Sequence, residues 1–182
     1  MNVLLVIDMQ KSVFAAPRLN TKEVVENINL LADFMRRSGG LVIFIQHNGS
    51  QEDDLVEATV GWEIIDELNF KVEDLRLTKT ACDSFYRTEL ESILRGNKAT
   101  NIVIVGAVTE YCVDTTLRSC LSKEFNVTAI SDAHTTGNRT HLPAKDIVLH
   151  HNQTWKNLIL PSVDIQVVTT SEFLNNSTRF IK

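Results

Sequence analysis

The sequence predicts an α/β fold, a three-layer, Rossmann-like arrangement of about six mainly parallel strands with helices on both faces. Three observations carry that expectation. Short runs rich in β-branched residues recur along the 182 residues, at Val3 to Ile7, Leu41 to Ile45, Leu75 to Thr78, Asn101 to Val105, Asn126 to Ile130 and Asp164 to Val168. Stretches with helical spacing of apolar residues lie between them, the alternation of a βαβ chain. Runs such as Ile102-Val103-Ile104-Val105 are apolar almost throughout, which suits parallel strands covered on both faces.

The elements follow in order. The first run leads straight into Asp8, without a basic segment and a long apolar stretch, so no secretory leader or spanning helix is expected. Asn20 with Glu23 three positions on predicts a capped helix start, and Val24, Ile28, Leu31 and Met35 mark its apolar stripe up to Gly39-Gly40. From Asn48 to Phe70 no strand character appears. An acidic opening (Glu52, Asp53, Asp54) and Gly61-Trp62 give this stretch the look of an active-site loop or lid. Thr88 with Glu91 signals a second helix through Leu90, Ile93 and Leu94, stopped at Gly96. A third helix carries Val113, Thr116, Leu117 and Cys120, and Pro143 suits the first turn of a later one reaching Leu158. With no internal repeat or linker, residues 1–182 read as a single domain of a size that buries about 70% of its unfolded surface.

Composition narrows the partners. Apolar residues at 43% and charged residues at 23% are ordinary for a globular chain, and the net charge of -5 comes with scattered Lys and Arg. That argues against nucleic acid or an anionic membrane as partner and leaves a small molecule or a protein. Three cysteines without a C-x-x-C pair predict free thiols and a cytoplasmic location.

In an open parallel sheet, ligands bind beyond the carboxyl ends of the strands, near the point where the strand order reverses. Three such ends bear reactive side chains: Asp8 after the first run, Lys79 after the third, and Gly106 to Cys112 after the fourth. A thiol at a helix N-terminus meets unpaired N–H groups that favour the thiolate, and a lysine nearby favours it further. Taken singly, each residue has a plainer role, as a buried thiol, a capping carboxylate and a surface ammonium. Together they supply nucleophile, base and electrostatic support. Cys120 falls on a helical core stripe, and Cys82 lacks a helix terminus. Phe14, Trp62 and Tyr111 flank these segments as walls of a substrate pocket or as ordinary packing residues. Asp132, at the fifth strand end, is expected to order a loop.

The segments Val6-Ile7-Asp8-Met9-Gln10, Lys79 with Phe85 and Thr88, Gly106-Ala107-Val108-Thr109-Glu110-Tyr111-Cys112-Val113, and Ser131-Asp132-Ala133 resemble those of the isochorismatase-like cysteine hydrolases. The likeness runs through nearly the whole chain, and Gly-x-x-Thr-x-x-Cys-Val is its most specific part. It implies Cys112 as nucleophile, Asp8 as general base and Lys79 as charged partner. It also implies a cis peptide at Ala107-Val108, an oxyanion hole from the Val108 and Cys112 N–H groups, amide cleavage through a thioester without a cofactor, and a homo-oligomer, dimer or tetramer. Two features separate this chain from parts of that family. The Asp-x-His metal motif of nicotinamidases is replaced by Gln46-His47-Asn48-Gly49, so no metal is expected, and Cys112 sets the chain apart from vinyl ether-cleaving isochorismatases. A catalytically inactive binding or scaffold relative is the reading from another class. A dinucleotide site or a receiver domain is disfavoured, because the first strand end has neither a G-x-G-x-x-G turn nor clustered acids.

Overall fold

The structure, a computed structural model, describes residues 1–178. Six strands, β1 (Asn2–Ile7), β2 (Leu41–His47), β3 (Leu75–Lys79), β4 (Asn101–Ala107), β5 (Asn126–Thr135) and β6 (Ile165–Val168), form one sheet in the order β3-β2-β1-β4-β5-β6. Every neighbouring pair is parallel. The chain steps outward from β1 to β3, returns to β4 and steps outward again, so the order reverses between β1 and β4.

Helices α1 (Thr21–Arg37), α2 (Leu90–Gly96), α3 (Asp114–Ser122), α4 (Ala144–Lys156) and α5 (Thr170–Thr178) complete three layers. Alternate residues of β1 divide between two cores because successive side chains of a strand point to opposite faces. Leu4 and Val6 pack with Val24, Ile28 and Met35 of α1 and Phe173 of α5. Val3, Leu5 and Ile7 pack with Leu90 and Leu94 of α2, Leu117 and Cys120 of α3, and Trp155 of α4. Each large aliphatic side chain buried in this way contributes roughly 1.5–3 kcal/mol.

Several helix ends differ from the sequence expectation. Asn20 precedes α1 in a left-handed conformation and makes no capping bond, and its amide instead donates to Glu23 at 3.3 Å. At the other end Gly39 is left-handed (φ +73°), and the Gly40 N–H reaches the Met35 carbonyl at 2.8 Å, the hydrogen bond of a Schellman stop. The Thr88 hydroxyl accepts the Leu90 N–H at 3.3 Å, but Glu91 pairs with Lys123 at 2.6 Å rather than folding back. Pro143 stands just before α4, which ends at Lys156. Helix α5 lies beyond the expected elements. A capping box starts it, with the Thr169 N–H donating to Glu172 and the Glu172 N–H to the Thr169 hydroxyl. Asp132 accepts the N–H and the hydroxyl of Thr170, both at 2.8 Å, so it orders the start of that helix.

Two features shape the switch point. Gly106 has φ +118°, and a Cβ there would run into the Ile7 carbonyl oxygen, so only glycine lets β4 pass this close to β1. The stretch after β2 is fixed along its second half. Lys11 and Ser12 donate their N–H groups to the Glu63 and Gly61 carbonyls, and the Ile65 N–H returns to Met9, with Ile65 and Leu68 in the core.

Candidate active site

Three strand ends converge at the switch point. Asp8 follows β1 in the left-handed region (φ +49°) and is anchored by its N–H to the Ile45 carbonyl at 2.9 Å. A non-glycine residue in that conformation costs about 1–3 kcal/mol and persists where the surroundings demand it. Lys79 closes β3 opposite His47 of β2 and is only 1% exposed. Cys112 lies in a π-helical turn, Thr109–Val113, that joins β4 to α3, two residues before the α-helix itself. The loop after Lys79 is tied to α3 through Ser84 and Thr116, whose hydroxyls are 2.8 Å apart.

The ammonium of Lys79 is the hub. Its Nζ lies 2.7 Å from Asp8 Oδ2, 3.0 Å from the Ala81 carbonyl, 3.2 Å from Cys112 Sγ and 3.4 Å from His47 Nδ1. Burial opposes its charge, but Asp8 and then Cys112 outweigh that cost, so its pKa is raised. Asp8 Oδ2 is committed to this pair, whereas Asp8 Oδ1 is buried without a partner.

Burial first, and the charge and hydrogen bonding of Asp8 next, push the Cys112 thiol above its ordinary range, with Lys79 pulling partway back. The carboxylate beside the sulfur thus works against the helix end and the lysine, because it repels a second negative charge.

The Ala107–Val108 peptide is cis. Beyond it, the N–H groups of Tyr111 and Val113 both donate to the Val108 carbonyl, at 3.0 and 3.3 Å, while the Cys112 N–H between them does not. Phe14 lines a cavity of about 730 Å³ with Arg18, Val25 and Ile65, and Trp62 lines a separate one of about 400 Å³ with Gln46 and Arg76. Tyr111 is 51% exposed, with the Arg139 guanidinium 5.1 Å from its ring centre. Neither cavity is lined by Asp8, Lys79 or Cys112. Cys120 is fully buried in α3, and Cys82 is exposed.

Other residues hold the site without having stood out by their residue type. Gln10 is fully buried and grips both backbone polar groups of His47, accepting its N–H at 2.7 Å and donating to its carbonyl at 3.0 Å. The available signal was an amide just after a buried strand, a group that must find partners. His134 bonds Thr109 at 2.9 Å and Asn152 at 3.0 Å beneath the π-helical turn, and burial lowers its pKa to about 4. Among the described residues, no group of three or more His, Cys, Asp or Glu is placed to hold a metal ion.

Comparison with known proteins adds relatives to this geometry. The family model described as the Isochorismatase domain matches residues 2–149. The chain is 33% identical over 133 residues to the uncharacterized isochorismatase family protein YrdC of Bacillus subtilis, a match covering 71% of each chain. It is 31% identical to a probable inactive nicotinamidase of Arabidopsis thaliana, over 71% of this chain and 78% of the relative. A shorter match, 40% identical over 75 residues, spans 40% of this chain and 31% of the ureidoacrylate amidohydrolase RutB of Acinetobacter baylyi. Among solved structures, a cysteine hydrolase from Pseudomonas syringae superposes with a TM-score of 0.86 at 23% identity, over 98% of this chain and 92% of the other. The N-carbamoylsarcosine amidase from Thermoplasma acidophilum does so with a TM-score of 0.73 at 22% identity, over 93% and 96%.

Proposed function

The chain belongs to the isochorismatase family of hydrolases, and from that premise we propose that it hydrolyses a small amide, ureide or carbamoyl compound through a thioester on Cys112. The observation that carries this reading is the placement of Asp8. Lys79 holds one of its oxygens at 2.7 Å and Cys112 Sγ at 3.2 Å, and the carboxylate raises the Cys112 thiol beside it. A carboxylate placed between a buried ammonium and a thiol is positioned to take the thiol proton, which is what a general base must do.

In the proposed sequence Asp8 takes the thiol proton as sulfur attacks the carbonyl carbon. The C–N bond then breaks, and the nitrogen leaves with the proton from Asp8. Water attacks the resulting thioester, giving a proton to Asp8, and the C–S bond breaks to release the acid. Sulfur recovers its proton from Asp8. Lys79 stays charged throughout, orienting Asp8 and favouring the transient thiolate. The N–H groups of Val108 and Cys112 serve as the oxyanion hole, where one donor is typically worth about 2.7–4 kcal/mol. Phe14, Trp62 and Tyr111 remain candidates for contacts to the substrate. The replacement of Asp-x-His by Gln46-His47-Asn48 supports chemistry without a metal, and hydrolysis through a thioester calls for no redox cofactor. A homo-oligomer in the cytoplasm, with residues 1–182 as one catalytic domain, belongs to the same reading.

A second reading, a binding relative without turnover, is favoured by the likeness to the probable inactive nicotinamidase. A screen of small amides, ureides and carbamoyl compounds with ammonia release as readout separates the two. Hydrolysis that falls at least about a thousandfold in Cys112→Ala and persists in Cys120→Ala is expected. Full activity in the Cys112 variant would sink the nucleophile, and no turnover across the panel would favour the binding reading.

A further inference from the structure

An ammonium has three protons to donate, yet four acceptors surround Lys79 Nζ: Asp8 Oδ2, the Ala81 carbonyl, Cys112 Sγ and His47 Nδ1. The two oxygens are the nearest, at 2.7 and 3.0 Å, and hold two of the protons. The third is left to sulfur or imidazole, at 3.2 and 3.4 Å.

We infer that His47 is a positioning residue for the second half of the reaction, taking the third Lys79 proton into a hydrogen bond whenever the Cys112 sulfur is acylated. This rests on the covalent reading above. A thiolate attracts that N–H strongly, so His47 is dispensable while the thioester forms. A thioester sulfur carries no charge and accepts weakly. Without an alternative acceptor, the Lys79 head loses one of its three tethers, and the Asp8 carboxylate that must activate water is held less firmly.

The local structure fits that role. His47 lies next to Lys79 across the β2–β3 ladder, and the Gln10 side chain clamps its backbone from both sides. Its ring also faces the charges of Asp8 and Asp53, and burial together with Lys79 keeps the imidazole neutral, leaving Nδ1 free to accept. Since Gln10 grips only the backbone of His47, exchanging the side chain leaves that anchor in place.

The test uses p-nitrophenyl acetate, an activated ester that acylates a reactive thiol whatever the natural substrate. p-Nitrophenol release and the acetylated fraction of acid-quenched enzyme, read by intact mass at steady state, are compared in the wild type, His47→Phe, His47→Asn and Cys112→Ala. His47→Phe removes the acceptor. His47→Asn is the rescue, because the amide oxygen it introduces stands near the place of Nδ1. In His47→Phe the thioester should form at the wild-type rate and break down roughly tenfold more slowly, the effect of one lost hydrogen bond to a charged group. Its acetylated fraction therefore rises, and His47→Asn brings it back to within about threefold of the wild type. Equal acetylated fractions in the wild type and both His47 variants would overturn the inference, as would an Asn variant as impaired as Phe, which would point to ring packing. Acetylation that survives Cys112→Ala would overturn the covalent reading itself and this inference with it.

Discussion

Asp8 and Lys79 act on Cys112 in opposite directions, and alkylation can read them separately from catalysis. The carboxylate raises the thiol and the ammonium lowers it. Lys79→Met should therefore slow alkylation of Cys112 by iodoacetamide at neutral pH, by about tenfold for each pH unit that the thiol's titration moves up. Asp8→Asn should speed alkylation while abolishing hydrolysis, because it removes both the repelling charge and the base. Equal alkylation rates in the three proteins would remove Asp8 and Lys79 from the surroundings of the sulfur. A carboxylate serving only as a structural ion-pair partner would not produce this split between a more reactive sulfur and lost turnover.

At the scale of elements, the crossing of β1 and β4 and the start of α5 each hang on one residue. Gly106→Ala forces a Cβ against the Ile7 carbonyl at φ +118°, where the obstacle is backbone and does not give way. A loss of about 3–5 kcal/mol in chemical denaturation, or failure to fold, is expected. Wild-type stability in that variant would show that β4 can shift away from β1. Asp132→Ala removes two bonds to Thr170. The capping box of Thr169 and Glu172 remains, so the cost should be only about 1 kcal/mol, with hydrogen exchange rising first in α5. Unchanged protection there would mean that the capping box and the packing of the helix against the core hold it without Asp132.

For the molecule as a whole, His134 links folding to pH. It packs edge-on to Trp155 under the sheet's second face, with Thr109, Asn152, His151 and Asp132 as its other charged or polar neighbours, and its pKa falls from 6.5 to about 4 on folding. Above pH 6.5 the imidazole is neutral in both states and adds no pH dependence. Below it the unfolded chain takes up a proton that the folded one refuses, so stability falls from pH 6.5 towards pH 4 and this contribution then levels off. The loss amounts to about 3 kcal/mol in all. Denaturation at pH 7 and pH 5 should show a smaller drop for His134→Gln than for the wild type, since carboxylates titrate alike in both. Parallel drops would assign acid sensitivity to other groups.

The strands and the three reactive strand ends follow from the sequence alone, because period and polarity along a strand reflect burial directly and parallel sheets open at their carboxyl ends. Asp8, Lys79 and Cys112 were legible for that reason, whereas the strand order that places the switch point between β1 and β4 was not. Helix α5 carries a local signal too, in the spacing of Thr169 and Glu172, while Asn20 carries a capping signal that its left-handed backbone does not use. It is the packing of the layers that brings four acceptors, His47 among them, to one ammonium and sets burial against charge at the sulfur. These depend on distances between residues tens of positions apart and on the balance of burial against charge. Local pattern records neither, since both are set when the sheet closes and its layers pack.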